Sequence, residues 1–212
     1  MEVVVAGGHG KVGLRLLRLL ADRGDRARGL IRDPAQAGDL QAAGAEAVVL
    51  DLEHEEIGDA VAGADAVVFA AGAGAGSGPA RKRTMDHGGA TKLIEAAKAN
   101  GISRYVMVSA IGAGRPESWS DQMRPYFEAK ADADRDLRDS GLEFTIVRPG
   151  RLTDDPGTGL IEAAPELEHG GEIPRDDVAA TLLAALDAPG AIGKTFELVA
   201  GETPIPEALR AI

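Results

Sequence analysis

The sequence predicts an α/β fold: a Rossmann-like, doubly wound parallel sheet flanked by helices, with a small C-terminal substrate-side excursion. Three observations predict it. Short apolar runs alternate with stretches of helical apolar spacing, the pattern of strands covered on both faces and joined by right-handed crossovers. A glycine-rich turn, Gly7-Gly8-His9-Gly10-Lys11-Val12-Gly13, falls between the first strand and the first helix. Aromatics make up only 3% of the chain, so the core must rest on Val, Leu, Ile and Ala, side chains that let helices pack closely on a sheet.

Val3–Ala6 is a buried-strand run, and Lys11–Asp22 carries Val12, Leu16, Leu19 and Leu20 at helical spacing. Ala27–Ile31 is a weaker second strand. Asp33-Pro34 then opens a short helix, with Asp33 as N-cap and Pro34 at the first helical position. Ala47–Leu50 is the third strand, Glu55–Ala62 a short helix, and Ala66–Ala70 the fourth strand. Gly72–Pro79 is a Gly-rich loop. Asp86–Asn100 is a helix stopped by Asn100-Gly101. Arg104–Ser109 is the fifth strand, Asp121–Ser140 a long helix, and Glu143–Val147 the sixth strand. Beyond Pro149 the pattern weakens to a helix over Asp176–Leu186 and a strand over Thr195–Val199. The chain, 1–212, reads as one dinucleotide-binding domain, with 151–175 as the substrate-side segment.

Composition narrows the function. Lys and Arg number 23 against 34 Asp and Glu, a net charge of −11, which argues against nucleic acid and against an anionic membrane surface. A small-molecule substrate is the expected partner, and the sequence leaves an oligomer open. With no cysteine, disulfide scaffolds, thiolate metal sites and cysteine nucleophiles are excluded. The four histidines, His9, His54, His87 and His169, show no metal-ligand spacing. No basic stretch followed by a long apolar run opens the chain, and no run approaches the ~18 apolar residues of a membrane span. A cytoplasmic protein is the simplest expectation.

The glycine turn carries the cofactor reading. Gly7, Gly10 and Gly13 allow a tight turn and a close approach of backbone to a pyrophosphate, with His9, Lys11 and Val12 contributing at the helix N-terminus. The spacing is G-x-x-G-x-x-G rather than the simplest dinucleotide fingerprint, but the physics is shared. At the end of the second strand Asp33 is occupied as a helix cap, which leaves Arg32 to receive a 2′-phosphate; the cofactor expectation is therefore NADP or NADPH, with NAD the alternative. Asp51 and Leu52 end the third strand, where a carboxylate accepts from the adenine amino group and a leucine covers the ring. Ala70, Ala71 and Gly72 end the fourth strand, small enough for the cofactor to cross the sheet edge.

Tyr126 and Lys130 form a Tyr-x-x-x-Lys, one helical turn or about 6 Å apart on one face. A neighbouring cation lowers a phenol from its usual value of about 10, so Tyr126 could exchange a proton with a carbonyl or alcohol oxygen while Lys130 binds the nicotinamide ribose. Ser109, ending the fifth strand, could position the substrate oxygen. Arg148-Pro149-Gly150 closes the sixth strand, with Pro149 turning the chain beside the nicotinamide. Arg81-Lys82-Arg83 follows the Gly-rich loop in an otherwise acidic chain; it could draw an anionic cofactor or substrate to the mouth, but a solvated basic patch is the simpler reading.

Taken together, Val5–Gly13, Arg32-Asp33-Pro34, Asp51-Leu52, Tyr105–Ser109, Tyr126–Lys130 and Phe144–Gly150 resemble the atypical short-chain dehydrogenase/reductase group, in its small NAD(P)H-binding branch, often labelled NAD-dependent epimerase/dehydratase-like. Ile173–Ala179 resembles a later segment of the same group. The resemblance implies a Rossmann fold and catalytic roles for Ser109, Tyr126 and Lys130. The expectation is an NAD(P)-dependent oxidoreductase of a small carbonyl or alcohol. The rivals are a non-catalytic NADP sensor that binds a protein partner and a flavin or tetrapyrrole reductase. A sugar-nucleotide epimerase/dehydratase-like enzyme is discounted because such enzymes carry a larger C-terminal lobe.

Overall fold

A computed structural model describes residues 1–74 and 76–212, so Ala75 of the expected Gly-rich loop lies outside the described residues. Five strands come first: β1 Glu2–Ala6, β2 Arg26–Ile31, β3 Glu46–Val49, β4 Ala66–Phe69 and β5 Arg104–Val108. β6 Glu143–Pro149, β7 Arg151–Thr153, β8 Leu160–Ala164, β9 Glu172–Pro174, β10 Lys194–Ala200 and β11 Thr203–Pro204 follow. The helices are α1 Lys11–Arg23, α2 Ala37–Ala42, α3 Pro79–Arg81, α4 Ala90–Ala99, α5 Arg124–Asp139, α6 Arg175–Leu186 and α7 Ile205–Ala211.

Nine strands form one sheet in the order β11-β8-β10-β6-β5-β4-β1-β2-β3. From β3 to β10 every pairing is parallel; β8 and β11 add antiparallel ribs on one edge. β7 and β9 pair separately. Order 3-2-1-4-5-6 is that of a dinucleotide-binding sheet, whose strand order reverses beside β1 and opens a crevice at the carboxyl ends.

Strand alternation divides the core. Val3 and Val5 face α1 and α6 with Leu16, Leu20 and Leu182, whereas Val4 and Ala6 face α4 and α5 with Leu93, Ile94 and Leu137. The N-cap at Asp33 forms as expected: its Oδ1 accepts from the Ala35 amide at 2.9 Å.

Three expectations are corrected. Glu55–Ala62 is only a 3₁₀ turn at Gly58–Val61, because the chain must drop straight into β4. The helix expected from Asp86 starts at Pro79 and passes through a π-helical stretch, Lys82–Gly89, before α4. Beyond Pro149, the weak pattern hides β7, β8, β9, β11 and α7, elements too short or too exposed to show an apolar period.

Candidate functional site

Close packing of backbone on backbone builds the cofactor end. Gly7 has φ of 83°, and a Cβ there would lie 2.7 Å from the Cα of Ala71. A Cβ on Gly13 would lie 2.2 Å from the carbonyl oxygen of Gly7, so α1 can seat on the turn only with glycine there. Gly10 donates its amide to Gly7 O at 2.9 Å, and its own carbonyl accepts from Leu14. No side chain caps α1. Among the described residues, nothing accepts from the amides of Lys11, Val12 and Gly13, so the first turn presents free N–H groups at the positive end of the helix. The cradle fits a pyrophosphate: donors are present, and a Cβ at Gly7 or Gly13 would push the turn off Ala71 or off α1 and misplace them.

Two connected hollows follow the sheet edge. The first, about 360 Å³, is lined by Gly7, His9, Gly10, Arg32, Asp51 and Leu52. The second, about 1010 Å³, is lined by Val12, Ser109, Tyr126, Lys130 and Pro149. Ala70, Ala71 and Gly72 line both and join them. Gly13 stands behind the turn. Lys11 faces neither hollow: its ammonium pairs with Asp154 at 2.5 Å.

The carboxylate of Asp51 accepts from the Glu53 amide at 2.9 Å and faces His54 at 3.1 Å. Its burial pushes the pKa up, but the His54 and Glu53 contacts and the charge of Arg32 outweigh that and hold it below the ordinary value. Arg32 is exposed, with Glu53 at 3.8 Å. His9 reaches out of the turn to Asp39 at 2.8 Å.

At the other end Lys130 is almost fully buried. It donates to Val108 O at 3.1 Å and pairs with Asp86 at 3.3 Å. Burial lowers its pKa, but Tyr126, Asp86 and Asp134 together raise it, so it remains an ammonium. The ammonium sits 6.0 Å from the ring centroid of Tyr126. The expected lowering of the Tyr126 pKa is corrected: burial pushes the phenol up, Lys130 pulls it down, and the carboxylates of Asp86 and Asp134 push it up again, with a net rise. Ser109 Oγ is buried and without a hydrogen-bond partner among the described residues. It neighbours Asp134, whose carboxyl is pushed up by burial against the opposing pull of Arg148 and Ser109.

Asp86 is the site residue that the sequence reading missed. The π-helical stretch turns it inward, where Oδ2 also accepts from the Ala73 amide at 3.1 Å. Asp86 thus ties Lys130 to the chain that leaves β4. Behind the wall, Arg148 binds the fully buried Asp134 through Nε at 2.9 Å and Nη2 at 2.8 Å, fixing α5 against β6. Buried Glu197 on β10 accepts from the amides of Gly112 at 2.8 Å and Leu167 at 3.0 Å and pairs with Arg115 at 3.1 Å. It pins the loop after β5 to the segment after β8. Trp119 stacks on Phe127 at 5.7 Å and donates its indole N–H to Gly112 O at 2.9 Å, stiffening that loop.

Comparison with known proteins agrees with this geometry. A Bacillus subtilis protein named as an uncharacterized sugar epimerase, YhfK, is 45% identical over 215 residues, spanning 100% of both chains. A solved structure of a putative NAD-dependent epimerase/dehydratase from Bacillus halodurans superposes with a TM-score of 0.96 at 39% identity, covering 100% of each chain. ChuY, an anaerobillin reductase from Escherichia coli O157:H7, matches with a TM-score of 0.81 at 25% identity, covering 94% of this chain and 97% of that one. The NAD(P)H-binding family matches residues 7–189. With its glycine cradle, its 3-2-1-4-5-6 sheet and the atypical short-chain dehydrogenase/reductase motifs, the chain belongs to the NAD(P)H-binding family and takes NAD(P)H as its cofactor.

Proposed function

We propose that the protein is an NADPH-linked reductase of a small carbonyl substrate, with Tyr126 as proton donor. The observation that carries this reading is the grouping of Tyr126, Lys130 and Asp86 on one wall of the cleft that continues from the glycine turn. Arg32 at the end of β2 supports NADPH over NADH.

When bound, the reduced nicotinamide supplies hydride; the chain's own residues supply the proton and the environment. Tyr126 is kept neutral by burial and by two nearby carboxylates. A neutral phenol is the form that gives a proton to a carbonyl oxygen, whereas alcohol oxidation would first require the phenolate. The arrangement therefore favours reduction. Lys130, held by Val108 O and Asp86, stands ready to stabilise the phenolate left behind. Ser109 Oγ, with no internal partner, is free to donate to the substrate oxygen. Ile111, Met123, Phe127 and Leu152 give the cleft apolar walls that limit water.

Tyr126→Phe tests the reading. NADPH oxidation with a carbonyl panel is expected to fall about a hundredfold or more, while cofactor affinity by calorimetry stays unchanged. Undiminished turnover would remove Tyr126 from its role. The rate of reduction should hold up to pH 10 and decline only above it, since the phenol titrates above its ordinary value of 10.0. An epimerase returns its hydride to the product, so net NADPH consumption decides against that chemistry. Tight cofactor binding without turnover on any carbonyl would leave a cofactor sensor.

A second reading is favoured by the size of the cleft. At about 1010 Å³ it sits at the upper end of small-molecule sites, roughly 300–1,000 Å³, and would admit a flavin or tetrapyrrole that accepts hydride without a tyrosine. NADPH oxidation that survives Tyr126→Phe when flavin is supplied supports this second reading.

A further inference from the structure

Three segments far apart in sequence meet at the rim of the adenosine hollow. Arg32 follows β2, Glu53 follows β3, and Arg81 ends α3. The Glu53 side chain is only 10% exposed, while Arg32 and Arg81 are 57% and 40% exposed. Glu53 Oε2 lies 3.3 Å from Arg81 Nε and 3.8 Å from Arg32 Nη1. Its Oε1 accepts from the Thr84 hydroxyl at 2.5 Å, and its backbone carbonyl accepts from Lys92 at 2.9 Å. The carboxylate is thus fixed by its own neighbours, and both guanidinium groups are gathered onto it from different elements. Both also line the hollow.

Arg81 meets Glu53 through Nε, and among the described residues its two terminal nitrogens have no acceptor within hydrogen-bond reach. The other acids at this rim are spent on local donors: Asp33 on the Ala35 amide, Asp51 on the Glu53 amide and His54. A phosphate dianion entering a chain of net charge −11 needs more than one exposed cation. Two planar guanidinium forks answer that need, because each matches phosphate oxygens in pairs.

We propose that Arg81 is a second specificity-determining residue for the cofactor, forming with Arg32 a two-arginine clamp for the adenosine 2′-phosphate. The proposal rests on the NADPH reading above. It also gives Arg81 of the Arg81-Lys82-Arg83 run a defined contact in place of a solvated patch.

The test titrates 2′,5′-ADP and 5′-AMP, probes that carry the adenosine end without nicotinamide, into the full chain and its variants, with melting temperatures recorded alongside. The wild type is expected to bind 2′,5′-ADP about tenfold or more tighter than 5′-AMP. Arg81→Gln should lose most of that gap by weakening 2′,5′-ADP alone. Arg81→Lys, which keeps a point charge but not the fork, should retain part of it. The gap should also narrow as salt is raised. A gap that persists in Arg81→Gln but vanishes in Arg32→Gln overturns the role of Arg81 and leaves the NADPH reading standing. Equal weakening of both probes by Arg81→Gln also overturns it. Equal binding of both probes by the wild type overturns the NADPH reading, and the clamp with it.

Discussion

The two ends of the cleft are assembled by different means. At the glycine-turn end, backbone meets backbone: Gly7 against Ala71, Gly13 against Gly7 O, and free helix amides beyond them. At the substrate end, buried side-chain charges hold separate pieces of chain together: Asp86 to Lys130, Asp134 to Arg148, and Glu197 to Arg115 and two loop amides. The first construction tolerates no added atom. The second tolerates exchange of loops, provided the buried charges keep partners. A fixed cofactor with a changeable substrate is what such a division permits.

Substitutions at each end break the comparison differently. The largest effect is expected from Glu197→Ala, which leaves the amides of Gly112 and Leu167 without their acceptor and takes one of two carboxylate partners from Arg115. Each amide left without an acceptor costs about 1–3 kcal/mol, read by denaturant unfolding, and cofactor affinity of the folded fraction should be near wild type. Next comes Gly13→Ala. Its methyl must displace Gly7 O, an overpacking cost of about 1–3 kcal/mol, and here cofactor binding should be lost in calorimetry while the substrate-side loops keep their amide-exchange protection. If Glu197→Ala weakens the cofactor as much as Gly13→Ala does, the two ends are not independent.

A smaller effect is expected from acid. Asp176 is held below its ordinary value of 3.8, first by its hydrogen bond from Arg15, with burial opposing. Asp154 is held below the same value, first by Lys11 and with burial again opposing. Both bind protons more weakly folded than unfolded, so their contribution is present above that ordinary value and lost as pH falls through the lower folded value. Titration below pH 4 should therefore loosen the contact of α1 with segment 151–159 before the sheet core, seen as early loss of amide protection at Gly157. The smallest effect is expected from Asp154→Ala. Its pairs with Lys11, Arg15 and Arg175 are solvent-exposed, so the melting temperature at physiological salt should not move measurably.

The same division decides what the sequence discloses. Gly7, Gly10, Gly13, Asp33 and the apolar runs of β1 to β6 act through local rules, so their roles can be read from neighbours in the chain. Asp86 could not be found that way. It stands in a charged helical stretch, and only the π-helical turn directs it at Lys130. Glu197 looks like the polar position of an alternating strand until two distant loops cover it. The Tyr126 pKa moves in the opposite direction from the expectation built on Lys130, because burial and two carboxylates, one of them Asp86 from a different helical stretch, act through space rather than along the helix.

A long open sheet also has to end safely. Here the two terminal strands are β3, four residues beginning with Glu46, and β11, two residues ending in Pro204. Proline offers no amide to a new strand, and a charged, short edge gives little length for one to pair along. The consequence is resistance to edge-to-edge aggregation: each end of the sheet offers an added strand few residues to pair with.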